Sequence, residues 1–335
     1  MPIGGACTTD RQCGRCTRCD QVCQVEPIND LVLGHRDLCY LGATGSRWCA
    51  GENRSGELGL GDATDHSPPR RIPGEDGWTK LALAYGTSFG IRGGDLWSWG
   101  SSTLFPKDRG PATNIAEILT ENAGSCIRHV DGTFDCDPTN TPWNLFALGD
   151  NDFCAIKLDG TLWCSGTDAM GDLGQGVLAS GTKLMPTQVG VDTDWIAVSA
   201  GQQMTCAVKS VGRLYCWGDP MLTGTNKVDT MGVPTQVGTD TDWIGVRADY
   251  RKTCATKSDG SVWCWGNDTQ GGYIVPDHAD VPVPIRVGVF DRFVIGGHGA
   301  CALSVGRWQC YGWNASGQLG QGNTDAITGF VDLCP

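Results

Sequence analysis

Thr205–Gly218 reads TCAVKSVGRLYCWG, and Thr253–Gly266 reads TCATKSDGSVWCWG. In both stretches, apolar and β-branched residues flank a glycine, which is typical of a β-hairpin. Residues that face each other across a hairpin have Cβ atoms about 4.5–5.5 Å apart, close to the roughly 3.5–4.5 Å that a disulfide needs. Each stretch therefore predicts a hairpin that is closed by a cross-strand disulfide.

The same hairpin recurs along the chain. Six cysteine pairs share the spacing of ten residues, or nine in the last pair, and we expect each to form a disulfide: Cys39–Cys49, Cys126–Cys136, Cys154–Cys164, Cys206–Cys216, Cys254–Cys264 and Cys301–Cys310. A seventh copy, SFGIRGGDLWSWG (Ser88–Gly100), has Phe89 and Ser98 at the two cysteine positions. The copy at Cys126 is the most degenerate, because Asp135 stands where the others have an aromatic or other large residue.

Each repeat contains four predicted strands. In the best copy these are WIAVSAG (Trp195–Gly201), MTCAVK (Met204–Lys209), RLYCW (Arg213–Trp217) and an extended PTQV segment. Four strands in a repeat of about 50 residues are typical of a β-propeller. Seven copies predict an all-β fold, a seven-bladed β-propeller over residues 26–335, preceded by a short cysteine-rich module at residues 1–25.

The repeat resembles that of the regulator of chromosome condensation family. The resemblance rests on GRLYCWG (Gly212–Gly218) and on the loop sequences ENRSGELGLGD (Glu52–Asp62) and WNASGQLGQGN (Trp313–Asn323). It implies a seven-bladed propeller, and the cysteines suggest a secreted bacterial-type member. Secreted relatives include a propeller that inhibits β-lactamases through one loop face. The family's nucleotide-exchange role resides in a protruding loop and a basic tail, which have no counterpart in this sequence.

Composition limits the compartment and the partners. The net charge of −12 disfavours nucleic acid and anionic membrane surfaces as partners. Eighteen cysteines in paired spacing favour an oxidising compartment. We therefore expect an extracellular or cell-surface protein. No apolar run reaches the ~18 residues of a membrane span, so none is predicted. No signal peptide follows Met1, and we expect that an export signal has been removed.

The two ends of the chain carry the remaining six cysteines: Cys7, Cys13, Cys16, Cys19, Cys23 and Cys334. Three disulfides are the favoured interpretation, one of them joining Cys334 to the N-terminal module. A zinc site on Cys13, Cys16 and Cys19 is the alternative, because these residues have CxxC spacing. The C-terminal segment Ile327–Leu333 is predicted to complete the first blade.

The loops that precede the second strand of each repeat are the candidate binding face. At the position where the family usually has His, this chain has Asp37, Thr87, Gly124, Asp152, Met204, Lys252 and Gly299. Such divergence fits either a dedicated binding face or drift in exposed loops. We predict a protein partner, with self-assembly possible, and the following binding residues: Arg36, Asp37, Tyr85, Asn122, Asn151, Asp152, Gln203, Met204, Tyr250, Arg251 and His298.

No catalytic residue, metal or cofactor is predicted. The alternative is a lyase or hydrolase at the axial channel, for which His35, His298 and Asp37 are the candidate groups. A structural subunit of an extracellular assembly is a third possibility. Asp192 and Asp194, like the equivalent pair Asp240 and Asp242, are interpreted as turn residues. Among the tryptophans, Trp143 and Trp313 are the candidates for exposed contacts.

Overall fold

In the computed structural model, residues 27–71, 75–101, 103–121, 124–137, 139, 141–176, 181–267 and 280–333 are described. They form strands and no helix, and none of them is part of a helix long and apolar enough to cross a bilayer. The cysteine-rich module, Asn122 and Cys334 lie outside the described residues. The arrangement is an all-β propeller built from four-stranded antiparallel blades.

Blade 1 comprises β1 (Asp30–Leu33), β2 (Asp37–Leu41), β3 (Arg47–Gly51) and β4 (His66–Arg71). Blade 2 comprises β5 (Trp78–Ala84), β6 (Thr87–Arg92), β7 (Asp95–Gly100) and β8 (Thr103–Pro111). A two-stranded sheet follows, with β9 (Ile115–Glu121) and β10 (Gly124–His129).

Blade 3 comprises β11 (Leu145–Leu148), β12 (Asp152–Ile156), β13 (Leu162–Thr167) and β14 (Thr182–Gln188). Blade 4 comprises β15 (Trp195–Gly201), β16 (Met204–Lys209), β17 (Leu214–Gly218) and β18 (Met231–Gln236). Blade 5 comprises β19 (Trp243–Asp249), β20 (Lys252–Lys257), β21 (Ser261–Asn267) and β22 (Asp280–Val289). Blade 6 comprises β23 (Arg292–Gly296), β24 (Gly299–Ser304), β25 (Arg307–Gly312) and β26 (Ile327–Asp332). Within every blade the strands pair in sequence order.

The structure has six four-stranded blades among the described residues, rather than the seven that the repeat count predicts. The third repeat forms only the two-stranded sheet β9–β10, because the chain turns back after Cys136. Asp137 organises that turn by accepting hydrogen bonds from Thr139 Oγ1 (2.8 Å), the Thr141 amide (3.2 Å) and Trp143 Nε1 (2.8 Å). These hydrogen bonds hold the chain in a turn at the point where a third strand would end.

All six expected disulfides are present. In the complete blades the two cysteines are directly opposed on the second and third strands, with Cα atoms 4.1–4.2 Å apart. In the incomplete blade the Cα atoms of Cys126 and Cys136 are 5.4 Å apart, because no third strand holds Cys136 in register. Phe89 and Ser98 are opposed in the same way in blade 2, which confirms the alignment of that repeat.

The turn between second and third strands explains the two cysteine spacings. Where the spacing is ten, a three-residue loop ends in a glycine of positive φ, as at Gly212 (φ 74°). Where it is nine, both residues of a two-residue turn have positive φ: Gly93 (63°) and Gly94 (88°), or Val305 (50°) and Gly306 (73°). Two-residue hairpin turns of this kind match the twist of the flanking strands.

The C-terminal strand β26 pairs with β25 and completes blade 6. The expectation that it completes the first blade is wrong, since β4 is already the fourth strand there. Each blade is therefore built from one contiguous segment of sequence.

The chain divides into two compact units, residues 1–113 with 299–335 and residues 114–298. In the first unit, β5 packs on β1 and β2. In the second, β15 packs on β11 and β12, and β19 packs on β15 and β16. The cores of both units consist of disulfides, aliphatic residues and tryptophans from adjacent blades, such as Trp99, Trp217 and Trp265.

Candidate binding site

The loops between first and second strands are two-residue turns in blades 4 and 5. Gly201 pairs with Met204 across the first turn, and Asp249 pairs with Lys252 across the second. Gln203 has a φ of 61° and Tyr250 a φ of 48°, which are uncommon values for residues other than glycine. Backbone conformations of this kind concentrate at functional sites, and they fix the direction in which these side chains leave the turn.

In the second unit these turns contact one another. The Gln202 amide donates to the Tyr250 carbonyl at 2.9 Å. The Tyr250 ring meets the buried His298 ring edge-on, with centroids 5.3 Å apart. The structure therefore brings together Gln203, Tyr250 and His298 from three successive blades.

Arg251 is held in place by neighbouring loops. Its Nε donates to the Asn267 carbonyl at 2.8 Å, and a terminal nitrogen lies 3.8 Å from Asp219 Oδ2. Its side chain is 19% exposed, so the guanidinium retains a limited accessible edge. Met204, in contrast, is buried in β16 and accepts a hydrogen bond from Thr253 Oγ1 at its sulfur, 3.5 Å away. Met204 thus lies in the core.

A partly buried carboxyl group lies beside these turns. Burial raises the pKa of Asp249 to about 6, even though the positive charges of Lys252 and His298 act to lower it. The negative charge of Asp150 adds to the increase. Asp249 occupies the position of a glycine in blades 1, 3, 4 and 6, so among the four-stranded blades this charged group is specific to blade 5. The two-stranded sheet has Glu121 at the same position.

In the first unit the corresponding loops carry His35, Arg36, Asp37 and Tyr85. The His35 and Tyr85 rings are perpendicular with centroids 5.2 Å apart, and Tyr85 is 60% exposed. The Arg36 guanidinium lies over the Trp313 ring, 4.9 Å from its centroid, and 3.8 Å from Glu52. Trp313 is half-buried by this contact. Trp143, the other tryptophan predicted to be exposed, is buried by its hydrogen bond to Asp137.

Asp37 and Asp152 occupy the same position in blades 1 and 3, and both are buried. Burial raises the pKa of each well above its usual value. Nearby carboxylates add to the effect, Glu57 at Asp37 and Asp172 at Asp152. Both residues therefore lie where a negative charge is poorly stabilised.

Asp168 and Asp172 form a carboxyl pair next to Asp152. Burial and a hydrogen bond with Asp168 raise the pKa of Asp172 to about 6. Asp168 stands where blades 1 and 6 have Asn53 and Asn314. In all three loops this side chain accepts a hydrogen bond from the amide of the leucine five residues on. The sequence analysis missed this pair, although the Asn-to-Asp difference in an otherwise repeated loop was the available signal.

Asn151 and Asp152 border a groove of about 370 Å³ in the second unit. Its lining also includes Gly124 and Ser125 of β10 and Ser165 and Leu184 of blade 3. A second cavity of about 420 Å³ is lined by first strands of the blades and contains Glu117, Arg128, Ser199 and Arg247. None of the predicted binding residues lines this second cavity.

A possible metal-ligating group in the described residues is formed by Cys126, Asp135 and Cys136. The two cysteines are joined in a disulfide and have no thiolate to offer. A zinc site on Cys13, Cys16 and Cys19 would lie outside the described residues.

No family model matches the chain. The ultraviolet-B receptor UVR8 of Arabidopsis thaliana is 27% identical over 175 residues, which is 50% of this chain and 36% of UVR8. The chain therefore spans about a third of the curated relative that it matches.

Two solved propellers share the fold. Human WBSCR16 superposes with a TM-score of 0.71 at 16% identity, covering 86% of this chain and 93% of its own. Prp20p of Saccharomyces cerevisiae, the yeast RCC1, superposes with a TM-score of 0.70 at 15% identity, covering 98% and 90%. Prp20 has been crystallised with Kap60, and its binding to Gsp1p and histones has been described. These similarities support an RCC1-like propeller. These relatives are eukaryotic and give no support to a secreted bacterial type.

Proposed function

We propose that this protein is an extracellular or cell-surface binding module that captures a protein partner through the loops between first and second strands. The observation that carries the proposal is the contact between Tyr250 and His298, in which a tyrosine of positive φ is held by the adjacent blade. A pre-positioned tyrosine loses little conformational freedom when a partner binds.

Arg251 extends the same surface. Tyrosine and arginine are the residues that most often dominate the binding energy of protein interfaces. Gln203 and Asn151 supply neutral hydrogen-bonding groups in adjacent loops. The protein-binding RCC1-like propeller Prp20 adds a precedent for the fold in this role.

The disulfides support the proposed location. Six cross-strand bonds are stable in an oxidising environment and would be reduced in the cytosol. Since the net charge is −12, we expect a protein partner with a basic surface rather than nucleic acid.

The test compares the oxidised protein with Tyr250→Ala/Arg251→Ala in capture from extracellular fluid, followed by affinity measurement on the purified partner. We expect affinity to fall at least a hundredfold. The matched control is Val211→Ala/Arg213→Ala, which alters an exposed turn at the opposite ends of the strands of blade 4. Equal loss in both variants, or no loss in the first, contradicts the proposal.

An enzymatic function is the second candidate, because the cavity of about 420 Å³ contains Glu117, Arg128 and Arg247. Arg128 lies 3.9 Å from Glu117, and Arg247 adds a second basic group, so the concave site suits a small anionic substrate. Hydrolase or lyase activity that disappears in Arg247→Ala but persists in the Tyr250→Ala/Arg251→Ala variant would favour this candidate.

A further inference from the structure

The incomplete blade leaves part of β10 without a third strand. In blade 4, Met204 and Thr205 pair with Gly218 and Trp217 of the third strand. The equivalent residues of β10 are Gly124 and Ser125, which pair with β9 on one side. Among the described residues none pairs with them on the other side, and both are exposed. Such an edge presents backbone donors and acceptors to an incoming strand.

A groove opens beside this edge because two parts of the repeat are missing. In blades 2, 4 and 5, the residue after the second cysteine position is a tryptophan that packs under a loop of the preceding blade. Trp217 Nε1, for example, donates to the Asp172 carbonyl at 2.8 Å, and Trp265 Nε1 donates to the Leu222 carbonyl at 2.9 Å. Blade 3 has Ser165 at this position, and its hydroxyl donates to the Lys183 carbonyl at 2.7 Å.

The loop that would cover this position is also absent. It follows the third strand of a complete blade, but after Cys136 the chain turns back around Asp137 instead. The groove of about 370 Å³ thus lies where a tryptophan and a glycine-rich loop meet in blades 2, 4 and 5.

Acidic groups outnumber basic ones around the groove. Asp150, Asp152 and Lys183 lie on its border. Asp152 is 9% exposed, and its Oδ2 has no hydrogen-bond partner among the described residues. Asp168 and Asp172 lie behind it and add to the unfavourable negative potential. A positive charge at the groove would relieve this repulsion, whereas a second anion would increase it.

We propose that the groove binds an extended basic segment of a protein partner, which pairs with Ser125 at the open edge of β10 and directs a lysine or arginine towards Asp150 and Asp152. The N–H and C=O of Ser125 point away from β9 and provide the pairing, whereas those of Ile127 are already bonded to Asp135. The acidic groups select the side chain. The exposed side chain of Leu184 on the opposite wall offers contact to the aliphatic part of that side chain. This inference rests on the proposed function. It specifies that the part of the partner that contacts the loop at Asn151 and Asp152 is an extended basic segment.

The probes are two labelled nine-residue peptides, one alternating threonine and arginine and the other alternating threonine and glutamate. Fluorescence anisotropy at 0.15 M salt should give saturable binding of the arginine peptide, at least tenfold tighter than that of the glutamate peptide. Hydrogen exchange at the Ser125 amide should slow when the arginine peptide is present. Absence of saturable binding, or protection confined to other strands, overturns the proposal.

Two variants test the geometry in different ways. Ser125→Pro removes an edge amide, and Ser165→Trp restores the residue that fills this space in blades 2, 4 and 5. Each should weaken the arginine peptide at least tenfold. Asp259→Asn removes an exposed charge from a distant turn and should change affinity less than twofold. If Ser165→Trp does not fold, Ser125→Pro decides the outcome, since Ser125 is exposed; unchanged affinity in a folded variant contradicts the proposal.

The captured partner separates this inference from the proposed function. If the Ser125→Pro variant binds that partner normally while Tyr250→Ala/Arg251→Ala does not, the loop surface stands and the groove proposal fails. If the groove variants lose the partner and Tyr250→Ala/Arg251→Ala retains it, the groove proposal stands and the loop surface fails.

Discussion

Lys257 Nζ lies 2.7 Å from Asp240 Oδ2. The same ammonium is 3.0 Å from Asp242 and lies over the rings of Trp243 and Trp263. Blade 4 repeats the arrangement with Lys209, Asp192, Asp194 and Trp195. Burial acts to lower the pKa of both lysines, but hydrogen bonds to the paired aspartates outweigh it and raise each pKa. Asp192, Asp194, Asp240 and Asp242 are interpreted from the sequence as turn residues. They also bind the lysine that ends the second strand of the same blade.

Lys257→Met should destabilise the protein by about 1 kcal/mol, because it removes the ion pairs and cation–π contacts but retains the aliphatic packing. The two aspartates are about half exposed, so solvent screens much of their attraction. Urea unfolding monitored by tryptophan fluorescence measures the change. Lys209→Met is the matched variant and should give a similar value; a loss above 3 kcal/mol in either would show that this account is incomplete.

Asp168→Asn should stabilise the protein at neutral pH and reduce its pH dependence. The folded-state pKa of Asp172, about 6, lies above its ordinary value of 3.8, so protonation of Asp172 stabilises the fold most below pH 4. That stability is lost as the pH rises through 6. An amide at position 168 can donate to the ionised Asp172 and reduce this loss, and the part caused by burial remains.

Urea midpoints of the wild type and Asp168→Asn should differ at pH 7.5 and converge near pH 4. The reciprocal variant Asn53→Asp should lose stability at pH 7.5, because Asn53 Nδ2 donates to Asp62 at 2.8 Å and a carboxylate would repel it. A pH-independent difference for Asp168→Asn would argue against the titration of Asp172 as its cause.

Arg47→Ala should destabilise blade 1 by about 3–5 kcal/mol, as expected when one partner of a buried ion pair is removed. Arg47 is 2% exposed, donates to the Leu58 and Gly59 carbonyls, and lies 3.1 Å from Glu75. Arg54→Ala is the control, since its side chain is 75% exposed and should change stability by less than about 0.5 kcal/mol. Thermal unfolding measures the stability of both variants. An equal loss of stability in Arg47→Ala and Arg54→Ala would contradict the prediction.

Phe89→Cys/Ser98→Cys should form a seventh cross-strand disulfide. The two residues are directly opposed in β6 and β7, as the paired cysteines are in the complete blades. Closing a loop of about ten residues adds roughly 2–3 kcal/mol to the free energy of unfolding. The gain is reduced by the loss of the Phe89 contacts and of the hydrogen bond from Arg109 to Ser98. Peptide mapping without reductant detects the bond. Free thiols in the folded, oxidised variant would show that opposed backbone positions are insufficient.

The hairpins were predictable because their information is local. A glycine-centred turn between alternating strands sets the register, and the register places the cysteines opposite each other. The spacing of nine at Cys301–Cys310 and at Phe89–Ser98 corresponds to a shorter turn, so a one-residue difference in sequence was enough to identify it. The loop asparagines Asn53 and Asn314 likewise have local partners.

The seventh blade could not be excluded in this way, because Cys126 and Cys136 have the same spacing as the complete copies. The decisive interactions are the hydrogen bonds of Asp137, which compete with a third strand. Met204 and Trp143 show the same limitation: their burial depends on neighbouring strands and on Asp137, and their positions in the sequence suggested exposure.

By itself, the sequence determined the all-β repeat, the six disulfides and the alignment of the blade that lacks one, since each depends on residues within about twelve positions of one another. The tertiary structure decided the number of complete blades, the Asp168–Asp172 pair beside Asp152 and the groove at β10. The Asp168–Asp172 pair and the turn at Asp137 lie within single repeats, but their effects depend on burial by neighbouring strands, as the groove does. Packing and electrostatics of this kind depend on distances that a repeat pattern does not contain.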